Sequence, residues 1–125
     1  DAYIGLGSLY YKNGDKEKAI EMYKKALEID PKYSVAYYHL GLIYYEMDMY
    51  EEAINMYIKA IEHKPDYVDA YNNLGAAYVL LGKVDDAIKV FKITLELDPN
   101  RSDARRNLEL ITKENKGQAA SPDKP

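Results

Sequence analysis

The sequence predicts an all-α solenoid of three helical hairpins in series, closed by one C-terminal helix. Three observations carry this. Residues of matching type recur every 34 positions along the chain. Within each unit the apolar residues fall at i, i+3, i+4 spacing, which lines one face of a helix. Short breaks such as Gly14-Asp15 and Asp30-Pro31 separate the apolar runs. A fixed period of this length is the mark of a repeat architecture, in which each unit buries its face only by stacking on the next.

The register is dense. Pro31, Pro65 and Pro99 share it, as do Gly7, Gly41 and Gly75, and Leu6, Leu40, Leu74 and Leu108. Tyr3, Tyr37 and Tyr71 keep step, as do Tyr10, Tyr44 and Tyr78, then Ala19, Ala53 and Ala87, Ile20, Ile54 and Ile88, and Tyr23, Tyr57 and Phe91. In the first unit Tyr3, Leu6 and Tyr10 form one apolar face, which predicts a helix over 2–13. Ala19, Ile20, Tyr23, Ala26 and Leu27 form the next, over 16–29, and Pro31 stops it because the residue before proline disfavours the α region. The same reasoning predicts helices over 34–47 and 50–63, then 68–81 and 84–97. A seventh is predicted over 102–115 from Ala104 and Leu108, which stay in register. Glu109 then takes the glycine position and Thr112 the tyrosine position, so no further helix is expected to pack tightly there. Glycine in mid-helix costs about 1 kcal/mol relative to alanine. The expected compensation is close approach of the second helix at Ala19, Ala53 and Ala87, with the large rings filling the space around the crossing.

Read unit by unit, these residues resemble the tetratricopeptide repeat. The first unit reads Tyr3, Leu6-Gly7, Tyr10, Ala19, Tyr23, Ala26, Pro31; the second Tyr37, Leu40-Gly41, Tyr44, Ala53, Tyr57, Ala60, Pro65; the third Tyr71, Leu74-Gly75, Tyr78, Ala87, Phe91, Thr94, Pro99. Tyrosine stands where the family usually has tryptophan, and Thr94 where it has its second alanine. The resemblance implies a right-handed superhelical solenoid with repeats at 1–33, 34–67 and 68–101 and a capping helix at 102–116. A disordered tail is expected over 117–125, which lacks an apolar face. Because the chain opens at Asp1 already inside a repeat, it is expected to be a fragment with repeats upstream.

Composition narrows the function. The 125 residues hold 17 basic and 21 acidic side chains, a net charge of −4, which argues against nucleic acid as the partner. There is no cysteine, hence no thiolate chemistry or disulfide, there is no apolar run long enough to span a membrane, and no cleavable signal segment is visible in these residues. The expected location is the cytoplasm, free or peripheral on a membrane complex. His39 and His63 lie apart without a metal-binding set, and the acid pairs Glu51-Glu52 and Asp85-Asp86 open helices, where the dipole favours them. With no nucleophile–base pair and no phosphate loop, no enzyme activity and no cofactor or metal are expected.

Tyrosine is the anomaly: there are 14, against one phenylalanine and no tryptophan. Ten sit at packing positions; Tyr11, Tyr38, Tyr45 and Tyr50 are extra. The resemblance implies a concave face lined by the first helix of each hairpin. Here that face holds Ile4, Ser8, Tyr11 and Lys12, then Val35, Tyr38, Leu42, Tyr45 and Glu46, then Asp69, Asn72, Asn73, Ala76, Val79 and Leu80. So apolar and aromatic a surface points to a binding site. The expected function is a scaffold or adaptor that binds a peptide or helix of another protein, with anchors among Tyr11, Tyr38, Leu42 and Tyr45 and with Asn72 and Asn73 bonding the ligand backbone. The chaperone-type members of the family hold a terminal carboxylate at positions that here carry Ile4, Ser8, His39, Asp69 and Asn73, so that clamp is missing. Two alternatives stand beside the adaptor: a self-assembling scaffold, of the magnetosome-associated or secretion and pilus-assembly type, and the non-catalytic arm of a larger enzyme such as a protein glycosyltransferase.

Overall fold

A computed structural model describes the backbone of residues 2–120 and the side chains of residues 2–114. It holds α1 (Ala2–Lys12), α2 (Lys16–Ile29), α3 (Ser34–Glu46), α4 (Tyr50–His63), α5 (Val68–Leu80), α6 (Val84–Leu97) and α7 (Ser102–Ala120), with no strand among the described residues. The helices pair as α1–α2, α3–α4 and α5–α6, and each hairpin packs on the next through its second helix. The helix starts and stops match the sequence reading to within a residue, except at the end of α7. That helix runs to Ala120, so residues 117–120 of the expected tail are helical; Gln118, Ala119 and Ala120 are good helix formers, and proline first appears at 122. Residues 121–125 of that tail lie outside the described residues.

Turns follow the period too. Gly14, Asp48 and Gly82 are in register, and all three have positive φ, at 84°, 62° and 75°. Two are glycine because that region suits a residue without Cβ; Asp48 is the exception. Between hairpins, the Tyr37 hydroxyl donates to the Pro31 carbonyl at 2.9 Å and the Tyr71 hydroxyl to that of Pro65 at 3.0 Å. Arg105, in register with these tyrosines, donates to the Pro99 carbonyl instead.

The core is serial. One cluster joins Ala19 and Tyr23 of α2 to Ala36, Leu40 and Ile43 of α3; the next joins Ala53, Ile54 and Tyr57 to Leu74 and Ala77; the third joins Ala87 and Phe91 to Ala104 and Ile111. Each spans two hairpins, which is why none is expected to hold its face buried alone. Thr94, at the alanine position, is fully buried and turns its hydroxyl to the Val90 carbonyl at 3.0 Å, so the substitution leaves no unpaired group.

The role of the mid-helix glycine needs a correction. A Cβ on Gly41 would lie 2.5 Å from the Tyr57 ring, and one on Gly75 would lie 2.6 Å from Phe91. The glycine therefore makes room for the flat ring of its own hairpin's second helix, rather than for the backbone at Ala53 or Ala87. Ring edges are rigid, so nothing there yields to a methyl group.

Candidate functional site

The first helices α1, α3 and α5 carry the expected groove residues, and α7 continues their row. Two adjacent pockets lie here. One, of about 280 Å³, is lined by Leu42, Tyr45, Glu46, Tyr57 and Asn73. The other, of about 370 Å³, is lined by Tyr45, Ala76, Val79, Leu80, Phe91, Asn107, Leu110, Ile111 and Glu114. Tyr45 lines both and forms the ridge between them.

Seven of the expected residues thus meet in one place: Leu42, Tyr45, Glu46, Asn73, Ala76, Val79 and Leu80. Tyr45 is half-buried with its ring edge-on to Tyr50, and Leu80 is 50% exposed. Ile4, Ser8, Lys12, Val35 and Asp69 line neither pocket. The α7 residues Asn107, Leu110, Ile111 and Glu114 were missed because that helix was read only as a cap. The period itself could have found them: 107, 110 and 114 lie one repeat beyond Asn73, Ala76 and Leu80.

The polar groove residues are engaged with one another across the hairpins. The Tyr11 hydroxyl donates to the Glu46 carboxylate, which also faces Lys16 at 3.8 Å. That hydrogen bond, with burial behind it, pushes the Tyr11 phenol up to about 12. Asn73 Nδ2 donates to the Tyr38 hydroxyl at 3.0 Å. Arg101 pairs with both Asp69 and Asp103. Burial opposes the charge on Asp103, but the Ala104 backbone N–H, Arg101 and Asn72 outweigh it and hold that carboxyl below its ordinary value.

Two expected roles are corrected by this. Asn72 is buried and donates from Nδ2 to Asp103 at 2.9 Å, tying α5 to α7; it does not face an open groove where it could bond a ligand backbone. Tyr38 is not a free anchor either. Its ring leans on Tyr57 and Tyr67, with centroids 6.1 and 4.9 Å away, and it packs against the middle core cluster. Tyr11 likewise packs against the first cluster. All three lie close enough to the adjoining hairpin to be drawn into its packing, a contact that a single repeat's pattern does not show.

The positions that hold a terminal carboxylate in chaperone-type relatives are occupied otherwise here. Ser8 Oγ meets the Tyr23 hydroxyl at 3.1 Å, and Asp69 faces Arg101. His39 stacks on Tyr23, and burial lowers its pKa, which favours the neutral ring. Among the described residues no group of His, Cys, Asp and Glu could hold a metal ion, and no helix is long and apolar enough to cross a membrane.

Comparisons with known proteins bear on the fold and the family. A family model described as TPR repeat matches residues 7–48 and 49–82, and one described as tetratricopeptide repeat matches 68–101. No curated protein sequence matches the chain. Among solved structures, the first TPR of Spaghetti (RPAP3) bound to the HSP90 peptide SRMEEVD is 28% identical, with a TM-score of 0.86 over 90% of each chain. A crystal structure of MamA is 33% identical, with a TM-score of 0.86 over 92% of this chain and 67% of that one. The second TPR domain of human RPAP3, in complex with the HSP70 peptide SGPTIEEVD, is 28% identical, with a TM-score of 0.83 over 88% of this chain and 92% of that one.

Proposed function

Since the chain belongs to the tetratricopeptide repeat family, we propose that it is a protein-interaction module whose groove between α3, α5 and α7 holds a segment of another protein by apolar side chains. The observation that carries this reading is the pair of contiguous pockets that share Tyr45, with Leu42, Ala76, Val79, Leu80, Leu110 and Ile111 around them. The groove's polar groups mostly bond one another, so what is left to the partner is largely apolar contact. Such a surface is worth most where an anchor enters a desolvated pocket.

Relatives that hold chaperone peptides support a peptide as the kind of ligand. The absence of a free cation among Ser8, His39, Asp69 and Asn73 argues that the ligand is not an acidic tail. A peptide selected from a random library should shift the amide resonances of Leu42, Tyr45, Ala76, Leu80 and Leu110 in an NMR titration. Tyr45→Ala should weaken it by tenfold or more, as truncating a central aromatic anchor does. Shifts confined to α2, α4 and α6 would refute the groove.

Self-assembly is favoured by a separate observation. Leu6 and Leu9 of α1 are 40% and 54% exposed. Sedimentation at rising concentration tests it: a second copy seated on α1 makes association sensitive to Leu9→Lys, and a strict monomer excludes it.

A further inference from the structure

The three hairpins treat one internal position differently. Residues 23, 57 and 91 press a ring against the first helix of their own hairpin, beside the groove positions 8, 42 and 76. In the first hairpin the Tyr23 hydroxyl pairs with Ser8 at 3.1 Å. In the third the ring is Phe91 and the groove residue Ala76, so there is no hydroxyl to satisfy. In the second the ring is Tyr57 and the groove residue is Leu42, which offers no hydrogen bond. Tyr57 is fully buried, and its hydroxyl has no hydrogen-bond partner among the described residues. Burial pushes this phenol up from its ordinary pKa, so it stays protonated as a donor.

Tyr57 lines the pocket of Leu42, Tyr45, Glu46 and Asn73. Of the polar groups lining it, Glu46 is engaged with Tyr11 and Lys16, and the Asn73 Nδ2 group with Tyr38. A buried donor left unpaired destabilises the fold, and such groups in native proteins call for an explanation.

We propose that Tyr57 is a recognition residue: its hydroxyl donates to a neutral carbonyl oxygen, a main-chain carbonyl of the partner segment whose apolar side chain enters the adjoining pocket of Ala76, Leu110 and Ile111. This rests on the groove reading above. The carbonyl is neutral because Glu46 lines this pocket and Glu114 the next, so a carboxylate or phosphate would meet like charge. It is a main-chain carbonyl because the two pockets share the Tyr45 ridge, so a chain crossing that ridge presents its backbone to one pocket and a side chain to the other. The hydroxyl is shut off from solvent, so a wall of the pocket must turn to admit the carbonyl, a role assigned to the half-buried Tyr45 ring.

The test pans a phage-displayed random dodecapeptide library against the full chain. The strongest binder, made synthetically, is titrated by calorimetry against wild type, Tyr45→Ala and Tyr57→Phe. Tyr57→Phe keeps a ring that the third hairpin already accommodates at this position as Phe91. Its melting temperature is expected to stay level or rise, while affinity falls about tenfold, the loss of one buried hydrogen bond. The acidic peptide SRMEEVD is expected not to compete; its competition at the same site would overturn the neutral-carbonyl assignment. A binder lost in Tyr45→Ala but unchanged in Tyr57→Phe overturns the role of the hydroxyl and leaves the groove reading intact. A lowered melting temperature in Tyr57→Phe also overturns it, by revealing an internal partner. No binder at all, or one indifferent to Tyr45→Ala, overturns both.

Discussion

The first and second hairpins share a pattern and differ in what surrounds them. Leu6 and Leu40 occupy the same register position, yet Leu6 is 40% exposed and Leu40 only 1%. Ile43 is 1% exposed where its counterpart Leu9 is 54%. The sequence motif is nearly identical; the difference is that α2 lies against α3, whereas no described helix lies on that side of α1. Burial in a stacked array therefore belongs to the junction between units. A residue type at a repeat position acquires its energetic worth from the neighbouring hairpin.

The widest contrast is expected at the shared leucine. Leu40→Ala should cost about 3 kcal/mol, within the usual range for a buried leucine truncated to alanine. Leu6→Ala should cost less than about 1 kcal/mol, because much of its side chain already meets water. Equal losses in chemical denaturation would mean that α1 is covered in solution.

A smaller contrast is expected at the glycines. Gly41→Ala sets a methyl 2.5 Å from the Tyr57 ring, while Gly7→Ala sets one 2.9 Å from Tyr23. Overpacking of this kind costs about 1–3 kcal/mol, so the second hairpin should lose toward the upper end and the first toward the lower. Reversal of that order in thermal melting would show that the Tyr57 ring moves aside more readily than the Tyr23 ring.

The smallest contrast concerns two hydroxyls. Tyr23→Phe breaks the pair with Ser8 and should cost about 1 kcal/mol, the net worth of one internal hydrogen bond. Tyr57→Phe removes a hydroxyl with no partner among the described residues and should cost nothing or stabilise slightly. Matching losses in the two variants would place an unrecognised acceptor beside Tyr57.

By itself the sequence determined the helices, their order, the hairpin length and the recurring rings and alanines of each core. Backbone preference and apolar periodicity are local, and three copies of one pattern reinforce each other: Pro31, Pro65 and Pro99 end helices wherever they fall, and Tyr23, Tyr57 and Phe91 point inward in every unit. The list of first-helix residues was legible too, and seven of its members meet around the Tyr45 ridge. Only the tertiary structure decided which of them remain available. Asn72 is consumed by Asp103, Tyr38 by Asn73 and the rings of Tyr57 and Tyr67, and Tyr11 by Glu46. Apart from Tyr57, these partners stand roughly one repeat away in sequence, so no local pattern pairs them. Leu110 on α7 was legible in the period, one repeat beyond Ala76, and was missed because α7 was read only as a cap. The Tyr57 hydroxyl was hidden, because its lack of a partner shows only once Leu42 is seen to stand where the first hairpin has Ser8. A hydrogen bond or a pocket wall depends on the distance between two elements, and stacking, rather than propensity, sets that distance.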